Sequence, residues 1–511
     1  MSEDHRLGYP AIVILVEQGR KDAPMAQLCA IAADSVASEF ADSVAVVVVD
    51  PGKPGLSQKV KWVPCHASEN PADALLQIRA KLEEVGPYFA YTFVDASSRG
   101  KEFVDALVAD LGRNPIEHLS NRLVVICKNC LGAGRPGWNT IRTVILRHKP
   151  ELQHKPGMMA QIAGAMETIM NQVDRSVAPT SVAATDPYNA QPDAPQWCRL
   201  RADFDKMSHS EEGITPKSRA RWARAITQRR VGLALGGSGA WGYAHVAIMG
   251  ALREEGVPID IIGGASSGSL FGAYYSVLED NGLYLAMDRG WYITMLAYLA
   301  IISSALLEIG IGYDLGPVSL DDLEVVFLPI VTNLSRLDTE VLQRVPVPFG
   351  VRASGSAPGF FGPTILGDSV LVDAAVTDNV PAALVRQTGA QLLIASNPLP
   401  SSRGVDAPRT RIGRFIMGVS PFARLRSLNN SLTLLFHDVG DMTADPGDPN
   451  CVFYDPKPVK RPLVGTFDFY RAKQIVEYVL VEPEFQTAIR KAVTAWNMLR
   501  SPRRGRLEEK R

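Results

Sequence analysis

Short hydrophobic runs alternate with longer helical stretches along the first third of the chain. Five such runs, most of them rich in β-branched residues, are Ala11–Val16, Val44–Val49, Tyr91–Val94, Leu123–Cys127 and Thr143–Leu146. Strands that alternate with helices form parallel sheets covered by helices. The pattern predicts a Rossmann-like α/β domain over residues 1–170. Because the first run lacks a following GxGxxG fingerprint, we expect no bound nucleotide and no cofactor there.

The hydrophobic periodicity changes twice after residue 170. Residues 171–228 begin with a stretch rich in Pro, Asp, Ser, Thr and Ala, which predicts a linker. A second α/β pattern covers residues 229–500, and residues 501–511, with several arginines, are expected to form a solvated basic tail. A chain of 511 residues exceeds what one hydrophobic core usually organises, so two domains are expected.

Composition excludes several classes of protein. With 46% hydrophobic residues and a net charge of −1, neither a disordered chain nor a nucleic-acid-binding protein is expected. A polar N-terminus, a first apolar run too short for a signal peptide and six dispersed cysteines predict a cytoplasmic protein with reduced thiols. Cys127 and Cys130 form a single CxxC pair without partner ligands, so we expect no metal site.

A glycine-rich turn opens the second α/β region. The apolar run Val231–Leu235 leads into GGSGAWG, which spans Gly236 to Gly242, and then into a helical stretch. Backbone N–H groups in such a turn lie beside the positive end of the helix dipole, which suits either a phosphate or a developing oxyanion.

A second turn distinguishes these two anions. The run Ile259–Ile262 leads into Gly264-Ala265-Ser266-Ser267-Gly268, followed by another helical stretch. This order of strand, GxSxG and helix is that of a nucleophile elbow, in which the serine occupies a sharp turn between small neighbours. Ser266 is the candidate nucleophile, preferred to Ser267.

A candidate base follows a third apolar run. Val370–Val372 ends in Asp373, and Asn379-Val380-Pro381 opens the next helical stretch. A carboxylate at a strand end can face the same cleft as a serine at a neighbouring strand end, and so can accept its proton.

Taken in order, these motifs resemble the patatin-like phospholipases. The similarity covers roughly residues 231–400 and includes the segment Val351–Phe361. It implies a three-layer α/β/α fold and a lipid acyl hydrolase with a Ser-Asp dyad: Ser266 attacks the ester and Asp373 takes its proton. It also implies that Gly237, Ser238 and Gly239 form the oxyanion hole. The N-terminal α/β region followed by this domain also resembles a shortened member of the neuropathy-target-esterase-like branch.

Two residues depart from the family pattern. Trp241 stands where the family usually has Arg or Lys, and Ala374 stands where the acid is usually followed by Gly. An indole favours an apolar or aromatic part of the substrate. Ala374 introduces strain only if the backbone there has a positive φ.

Three other titratable residues offer alternatives. His245 matches a position inside the first helix of the domain and is expected to be structural. His437 completes the Ser-acid-His order of an α/β-hydrolase with Ser266 and Asp373. Asp378 is the competing acid, although its position favours a helix-opening role.

Two segments bear on lipid contact. Residues 291–307 are uncharged and largely apolar, which predicts a buried helix lining an acyl pocket, with membrane insertion as the alternative. Residues 407–437 mix arginines with apolar residues, which fits either docking on anionic lipid or an ordinary surface loop. The expected partner is a phospholipid or another lipid ester, with peripheral membrane contact. The rival functions are a catalytically silent lipid-binding or scaffold protein and an acyltransferase that uses the same serine.

Overall fold

A computed structural model describes most of the second half of the chain and parts of the first half. The described residues are 11–16, 25–49, 58–96, 98–99, 101–113, 116, 119–127, 139–147, 196–202, 213–343, 345–399, 431, 434–444, 448, 450–456 and 464–505. Cys130 of the CxxC pair, residues 171–195 of the predicted linker and most of the basic segment 407–437 lie outside them. The chain divides into two compact units, one of residues 1–229 with 500–511 and one of residues 230–499.

The first unit contains a seven-stranded sheet. Its strands are β1 (Ala11–Val16), β2 (Val44–Val49), β3 (Lys61–Cys65), β4 (Tyr91–Asp95), β5 (Leu119–Cys127), β6 (Asn139–Arg147) and β7 (Gln196–Ala202). They lie in the order β3-β2-β4-β1-β5-β6-β7. The first five are parallel, and β6 and β7 continue the sheet antiparallel. The predicted parallel α/β architecture is confirmed, but β4 lies between β1 and β2, which differs from the 3-2-1-4-5 order of a Rossmann sheet.

Helices pack on this sheet through regularly spaced apolar residues. They are α1 (Met25–Phe40), α2 (Pro71–Val85) and α3 (Lys101–Arg113). Ile78 and Leu82 of α2 lie four residues apart, so they share one face, and both are buried in the core that also holds Val94 of β4. Asn70 caps α2, since its side chain accepts a hydrogen bond from the Ala72 N–H.

The segment predicted as a linker contains regular structure. Residues 196–202 form β7, and helix α4 (Pro216–Ile226) follows. Polar and apolar residues largely alternate in β7, but the strand was not predicted because the residues before it are mostly polar. The two compact units divide between residues 229 and 230.

The start of the predicted basic tail is not a solvated end. The Arg503 backbone N–H donates to Asp42, and its guanidinium donates to the Tyr91 hydroxyl and to the Thr227 carbonyl. Arg229 forms a fully buried ion pair with the same Asp42 carboxylate. Asp42 therefore holds both Arg229 and residue 503 in the first unit, which explains the difference from the expected frayed tail.

The second unit is built around an eight-stranded mixed sheet. Its strands are β8 (Arg230–Leu235), β9 (Ile261–Gly264), β10 (Val326–Asn333), β11 (Asp338–Val341), β12 (Thr364–Leu366), β13 (Ser369–Asp373), β14 (Ala390–Ser396) and β15 (Cys451–Tyr454). They lie in the order β12-β13-β10-β9-β8-β14-β15, and β11 pairs with β10. Strands β10, β9, β8, β14 and β15 are parallel, whereas β11, β12 and β13 are antiparallel to their neighbours.

Nine named helices and one further helical segment belong to the described part of this unit. They are α5 (Tyr243–Glu254), α6 (Ser267–Leu278), α7 (Asp280–Asp288), α8 (Gly290–Ile302), α9 (Ala305–Leu315), α10 (Val347–Ser354), α11 (Ala382–Gln387), α12 (Ala472–Leu480) and α13 (Pro483–Leu499), together with residues 434–443. The core of the unit lies on the sheet and includes Ile261, Ile330 and Leu393.

Helix α8 differs from the helix expected over residues 291–307. It is 13 residues long and buries one face, which includes Ile293, Leu296 and Ala300, while Trp291 and Ile302 are exposed. The expected buried helix is therefore present but is buried on one side only, because apolar residues surround the whole helix and the protein covers one face of it. Within the described residues, no helix has the length and apolar character needed to cross a bilayer.

Candidate active site

Ser266 occupies the sharp turn between strand β9 and helix α6. Its backbone has φ 52° and ψ −120°, a conformation that non-glycine residues rarely adopt. Such strain persists only where the surroundings impose it, and it is typical of a nucleophile held at a strand end. The strand-turn-helix setting predicted for Ser266 is therefore present.

Close backbone approach explains the glycine at the end of the GxSxG turn. A Cβ at Gly268 would overlap the carbonyl oxygen of Leu235, the last residue of β8. The start of α6 thus packs directly against the strand that carries the glycine loop. This contact brings the serine turn and the glycine loop together.

The Ser266 backbone is held by a residue that the sequence did not point to. The Ser266 N–H donates to the backbone carbonyl of Ser354, at 3.2 Å, and to the Ser354 hydroxyl, at 3.1 Å. Ser354 is the last residue of α10 and is fully buried. It acts as a positioning residue for the candidate nucleophile.

Strand register places Asp373 at the level of Ser266. On the central strand β10, Pro329 lies opposite Gly264 of β9, and Val331 lies opposite Asp373 of β13. Two residues along β10 therefore lead from the level of Gly264 to that of Asp373, and Ser266 is two residues beyond Gly264. The serine and the acid thus lie across a single strand from each other at the carboxyl end of β9.

Burial sets the protonation of Asp373. The carboxyl is fully buried, and this raises its pKa to about 7, while hydrogen bonding from the Ser266 hydroxyl and the Ala375 N–H lowers the pKa against that trend. The Ala375 N–H donates to Oδ1 at 2.9 Å. Oδ2 is buried and, among the described residues, accepts no hydrogen bond of good geometry. The serine hydroxyl is thus near enough to influence this carboxyl, and catalytic hydrogen bonds commonly tighten only when substrate binds.

The three candidate oxyanion donors differ in whether their N–H groups already donate a hydrogen bond within the protein. The Gly237 N–H donates to Asn379 Oδ1 at 2.8 Å, and the Ser238 N–H donates to Ser267 Oγ at 2.9 Å. Within the described part of the chain, the Gly239 N–H donates no hydrogen bond. Gly239 has φ 55°, and the carbonyl oxygen of Thr466 lies 2.5 Å from where its Cβ would be. The loop thus lies beside Ser266 with one donor available and two held by side chains.

Asn379 anchors the glycine loop, a role that the sequence did not reveal. Besides accepting from the Gly237 N–H, its Nδ2 donates to the Gly237 carbonyl at 3.3 Å and to the Phe436 carbonyl at 2.8 Å. The side chain is fully buried. Its only signal in the sequence was its position before a proline in the segment after Asp373.

The structure describes both residues that depart from the family pattern. Trp241 is buried, and its ring makes an edge contact with Tyr478 at 6.2 Å between ring centroids. The indole thus packs inside the domain, and a preference for an apolar or aromatic substrate portion stays a prediction. Ala374 is not among the residues with positive φ, so it carries no backbone strain.

The other titratable residues lie in different surroundings. His245 is buried, its Nε2 lies 2.8 Å from the Gly236 carbonyl oxygen, and burial lowers its pKa to about 4, so it supports the glycine loop as a neutral side chain. Asp378 does not open α11, whose N-cap is Pro381. Burial raises the pKa of Asp378 to about 6, while the nearby Thr443 hydroxyl lowers the pKa against that trend. The carboxylates nearest to His437 are those of Asp438, Asp441 and Asp455, rather than that of Asp373.

An aromatic cluster, made of Tyr298, Phe360, Phe361 and Phe467, forms an apolar wall beside the glycine loop. The ring of Phe467 lies 5.8 Å from that of Tyr298 and 5.6 Å from those of Phe360 and Phe361. Phe467 follows Thr466, whose carbonyl accepts a hydrogen bond from Ala240 in the glycine loop. The hydrogen bond from Ala240 to Thr466, the residue before Phe467, thus connects the wall to the glycine loop.

The patatin-like phospholipase family model matches residues 233–386, which include Ser266, Asp373 and the glycine loop. A patatin-like phospholipase domain-containing protein of Caenorhabditis elegans is 34% identical over 197 residues, which are 35% of this chain and 15% of that protein. The lysophospholipase nte1 of Emericella nidulans is 33% identical over 186 residues, covering 34% and 12% of the two chains. The lysophospholipase NTE1 of Pyricularia oryzae is 29% identical over 280 residues, covering 50% and 18%.

This chain thus aligns with less than a fifth of the length of each of these relatives. Among solved structures, VipD from Legionella pneumophila is matched with a TM-score of 0.25 at 14% identity, over 49% of this chain and 67% of that one, and so low a score supports no conclusion. The family model covers the serine, the acid and the strands between them. Residues 233–386 of this chain thus match the patatin-like phospholipase family.

Proposed function

We propose that this chain is a serine lipid acyl hydrolase that cleaves carboxylic esters of phospholipids, lysophospholipids or related lipids. The observation that carries the proposal is the placement of the strained Ser266 and the buried Asp373 at one level across β10. The match of residues 233–386 to patatin-like phospholipases supports it.

The proposed reaction begins with proton transfer from serine to aspartate. As Ser266 Oγ attacks the ester carbonyl carbon, its proton passes to the Asp373 carboxylate, and the carbonyl oxygen becomes an oxyanion. The N–H of Gly239 and the positive end of α6 stabilise this charge, with the N–H groups of Gly237 and Ser238 as further donors once their side-chain acceptors give way.

Collapse of the tetrahedral intermediate expels the alcohol portion of the lipid, which takes the proton from Asp373 and leaves an acyl group on Ser266. Water then attacks this acyl-enzyme and gives its proton to Asp373. The second tetrahedral intermediate releases the fatty acid and returns the proton to Ser266. Asp373 therefore serves twice as base and twice as acid, which suits a carboxyl whose pKa is raised to about 7.

A screen of products tests the proposal. Wild type, Ser266→Ala and Asp373→Asn are incubated with a phospholipid, a lysophospholipid and a soluble ester, and released fatty acid is measured. We expect release by wild type from at least one ester, and release at background by both variants. Fatty acid release by Ser266→Ala equal to wild type would contradict the assignment of the nucleophile. Transfer of the acyl group to an added alcohol through the same serine would identify an acyltransferase instead.

One observation favours the catalytically silent alternative. Two of the three candidate oxyanion donors, the N–H groups of Gly237 and Ser238, are engaged by side chains. If these hydrogen bonds persist with substrate bound, the loop offers only the Gly239 N–H. Absence of fluorophosphonate labelling in the folded wild type, together with measurable binding of lipid vesicles, would support this alternative.

We also propose that an exposed apolar surface on α8 and α9 contacts the lipid phase. Trp291 is 72% exposed, Ile302 82% and Tyr313 80%, and α8 contains no charged residue. Large exposed apolar patches mark sites of association, and Trp and Tyr favour a membrane interface. Tyr298 of α8 also belongs to the aromatic cluster, so the surface is continuous with the wall beside the glycine loop. A peripheral position on a membrane would therefore present lipid directly to the site, and a cytoplasmic location remains a prediction.

A further inference from the structure

Three side chains with metal-binding atoms meet at the carboxyl end of the second sheet. His437 and Asp441 lie one helical turn apart in the helical segment 434–443, and Asp455 follows β15. His437 Nδ1 is 3.6 Å from Asp441 Oδ2, and His437 Nε2 is 4.0 Å from Asp455 Oδ1. One ligand atom from each of the three residues lies within 4.8 Å of the other two.

A buried ring nitrogen of His437 without a hydrogen-bond partner indicates that a ligand binds there. The His437 side chain is 90% buried, and within the described part of the chain its Nδ1 makes no hydrogen bond. Leaving a buried polar atom without a partner costs about 1–3 kcal/mol. A cation beside the imidazole would remove this cost by binding a ring nitrogen.

A neighbouring side chain orients the Asp441 carboxylate, as is usual for residues that bind metals. Asn397 Nδ2 donates to Asp441 Oδ1 at 2.8 Å, while the other oxygen, Oδ2, faces His437. Gly440 packs tightly on the same asparagine, because a Cβ there would lie 2.7 Å from Asn397 Nδ2. Outer hydrogen bonds of this kind fix the direction of metal-binding side chains.

We infer that His437, Asp441 and Asp455 bind a first-row divalent cation of the Zn²⁺ class. One imidazole and two carboxylates are a mixed nitrogen and oxygen set, which suits Zn²⁺ better than Ca²⁺, and the two carboxylates balance its charge. Ligand atoms around a tetrahedral zinc lie roughly 3.4 Å apart, since bonds to nitrogen and oxygen are about 2.0–2.2 Å. A single cation binds only one nitrogen of the ring. The unsatisfied Nδ1 lies 3.6 Å from Asp441 Oδ2, and one ligand atom from each of the three residues lies within 4.8 Å of the other two, so modest movements reach this geometry.

The proposed cation would order the support of the glycine loop. The carbonyl of Phe436, next to His437, accepts a hydrogen bond from Asn379, which also holds Gly237. Thr443 of the same helical segment accepts a hydrogen bond from the Val380 N–H. Cation binding therefore stabilises the contacts between the segment 434–443 and the residues that hold the glycine loop. The cation takes no part in the ester reaction.

Titration of the chelator-treated full chain with Zn²⁺ by calorimetry tests this inference. The variants are His437→Ala and the nearly isosteric Asp441→Asn and Asp455→Asn, with Glu254→Gln, an exposed carboxylate on α5, as the matched control. Circular dichroism without metal establishes that each variant is folded. We expect one Zn²⁺ per chain in wild type and control, at least tenfold weaker binding in the variants, and a Zn²⁺-dependent rise in unfolding temperature that only wild type and control show.

Equal Zn²⁺ affinity in wild type and in all three ligand variants would overturn the site, as would no binding by wild type at all. Binding of Ca²⁺ in preference to Zn²⁺ would overturn the assigned class of cation. These readouts do not depend on ester hydrolysis, so they stand apart from the outcome of the product screen.

Discussion

The Asn379 side chain hydrogen-bonds to both backbone polar groups of Gly237. Its Oδ1 accepts from the Gly237 N–H, and its Nδ2 donates to the Gly237 carbonyl. A side chain that hydrogen-bonds to both the N–H and the carbonyl of one residue fixes the orientation of the loop at that residue. The glycine loop beside Ser266 therefore depends on a residue 142 positions away in the sequence.

Replacing Asn379 should impair catalysis through the loop. Asn379→Ala removes both hydrogen bonds to Gly237 and leaves the Phe436 carbonyl without its donor, so we expect about 1–3 kcal/mol lower stability and roughly 100-fold lower kcat. Asn379→Asp keeps the acceptor for the Gly237 N–H and is the matched control, with a smaller loss. Ester kinetics and denaturant unfolding measure the two effects. Unchanged kcat in a folded Asn379→Ala would show that the loop needs no such anchor.

Gly239 should not tolerate a side chain. Gly239→Ala places a Cβ at φ 55° and 2.5 Å from the Thr466 carbonyl oxygen, so the loop must move away from Ser266. We expect at least a tenfold loss of kcat/KM. Gly250→Ala is the control, because a Cβ there meets nothing within 4 Å and alanine favours the helix that contains it. Equal activity in the two variants would contradict the placement of the loop.

Activity should rise with pH through about 7. The pKa of Asp373 is raised to about 7 by burial, and only the ionised carboxyl accepts the serine proton. Below this pH, kcat/KM on a neutral soluble ester should fall about tenfold per pH unit. A profile that stays flat from pH 5 to pH 8 would exclude Asp373 as the base.

The same shift predicts how stability depends on pH. Because the folded pKa is raised above the unfolded value of 3.8, the folded state holds the proton more tightly than the unfolded state does. The stabilisation is thus complete below the unfolded pKa and is lost as pH rises through about 7. Relative to wild type, Asp373→Asn should gain about 3 kcal/mol between pH 5 and pH 8, measured by denaturant unfolding at each pH.

The sequence predicted the reacting residues better than their supports. Ser266 and Asp373 are signalled by local patterns, a GxSxG turn and a carboxylate at a strand end, which need only neighbouring residues to be recognised. Ser354 and Asn379 act through hydrogen bonds to residues 88 and 142 positions away, and no periodicity reveals such pairs.

The strands and helices show the same contrast between features that neighbouring residues reveal and features that depend on distant contacts. All five predicted strands of the first unit are present, because their hydrophobic runs can be recognised from neighbouring residues alone. Strand β7 was missed because its residues alternate between polar and apolar within a polar region, and β3 because it holds a proline. The burial of Trp241 was also unpredictable, since it depends on contact with Tyr478 from a distant helix.

The apolar surface of α8 and α9 should govern binding to vesicles. Ile302→Asp combined with Tyr313→Asp places charge on two residues that are at least 80% exposed, which should weaken association with neutral phosphatidylcholine vesicles without changing hydrolysis of a soluble ester. Val481→Asp, on another exposed apolar residue of the second unit, is the control. Co-sedimentation equal for the double variant and the control would exclude this surface from lipid contact.

The central claim is that Ser266 is a nucleophile activated by Asp373, and covalent labelling tests it most directly. Wild type, Ser266→Ala, Ser267→Ala and Asp373→Asn are treated with a fluorophosphonate, and the adduct is located by mass spectrometry of the intact protein and its peptides. We predict one adduct, on Ser266, in wild type and in Ser267→Ala, none in Ser266→Ala and much slower labelling in Asp373→Asn. An adduct that persists at the same rate in Ser266→Ala, or labelling unaffected by Asp373→Asn, would contradict the dyad.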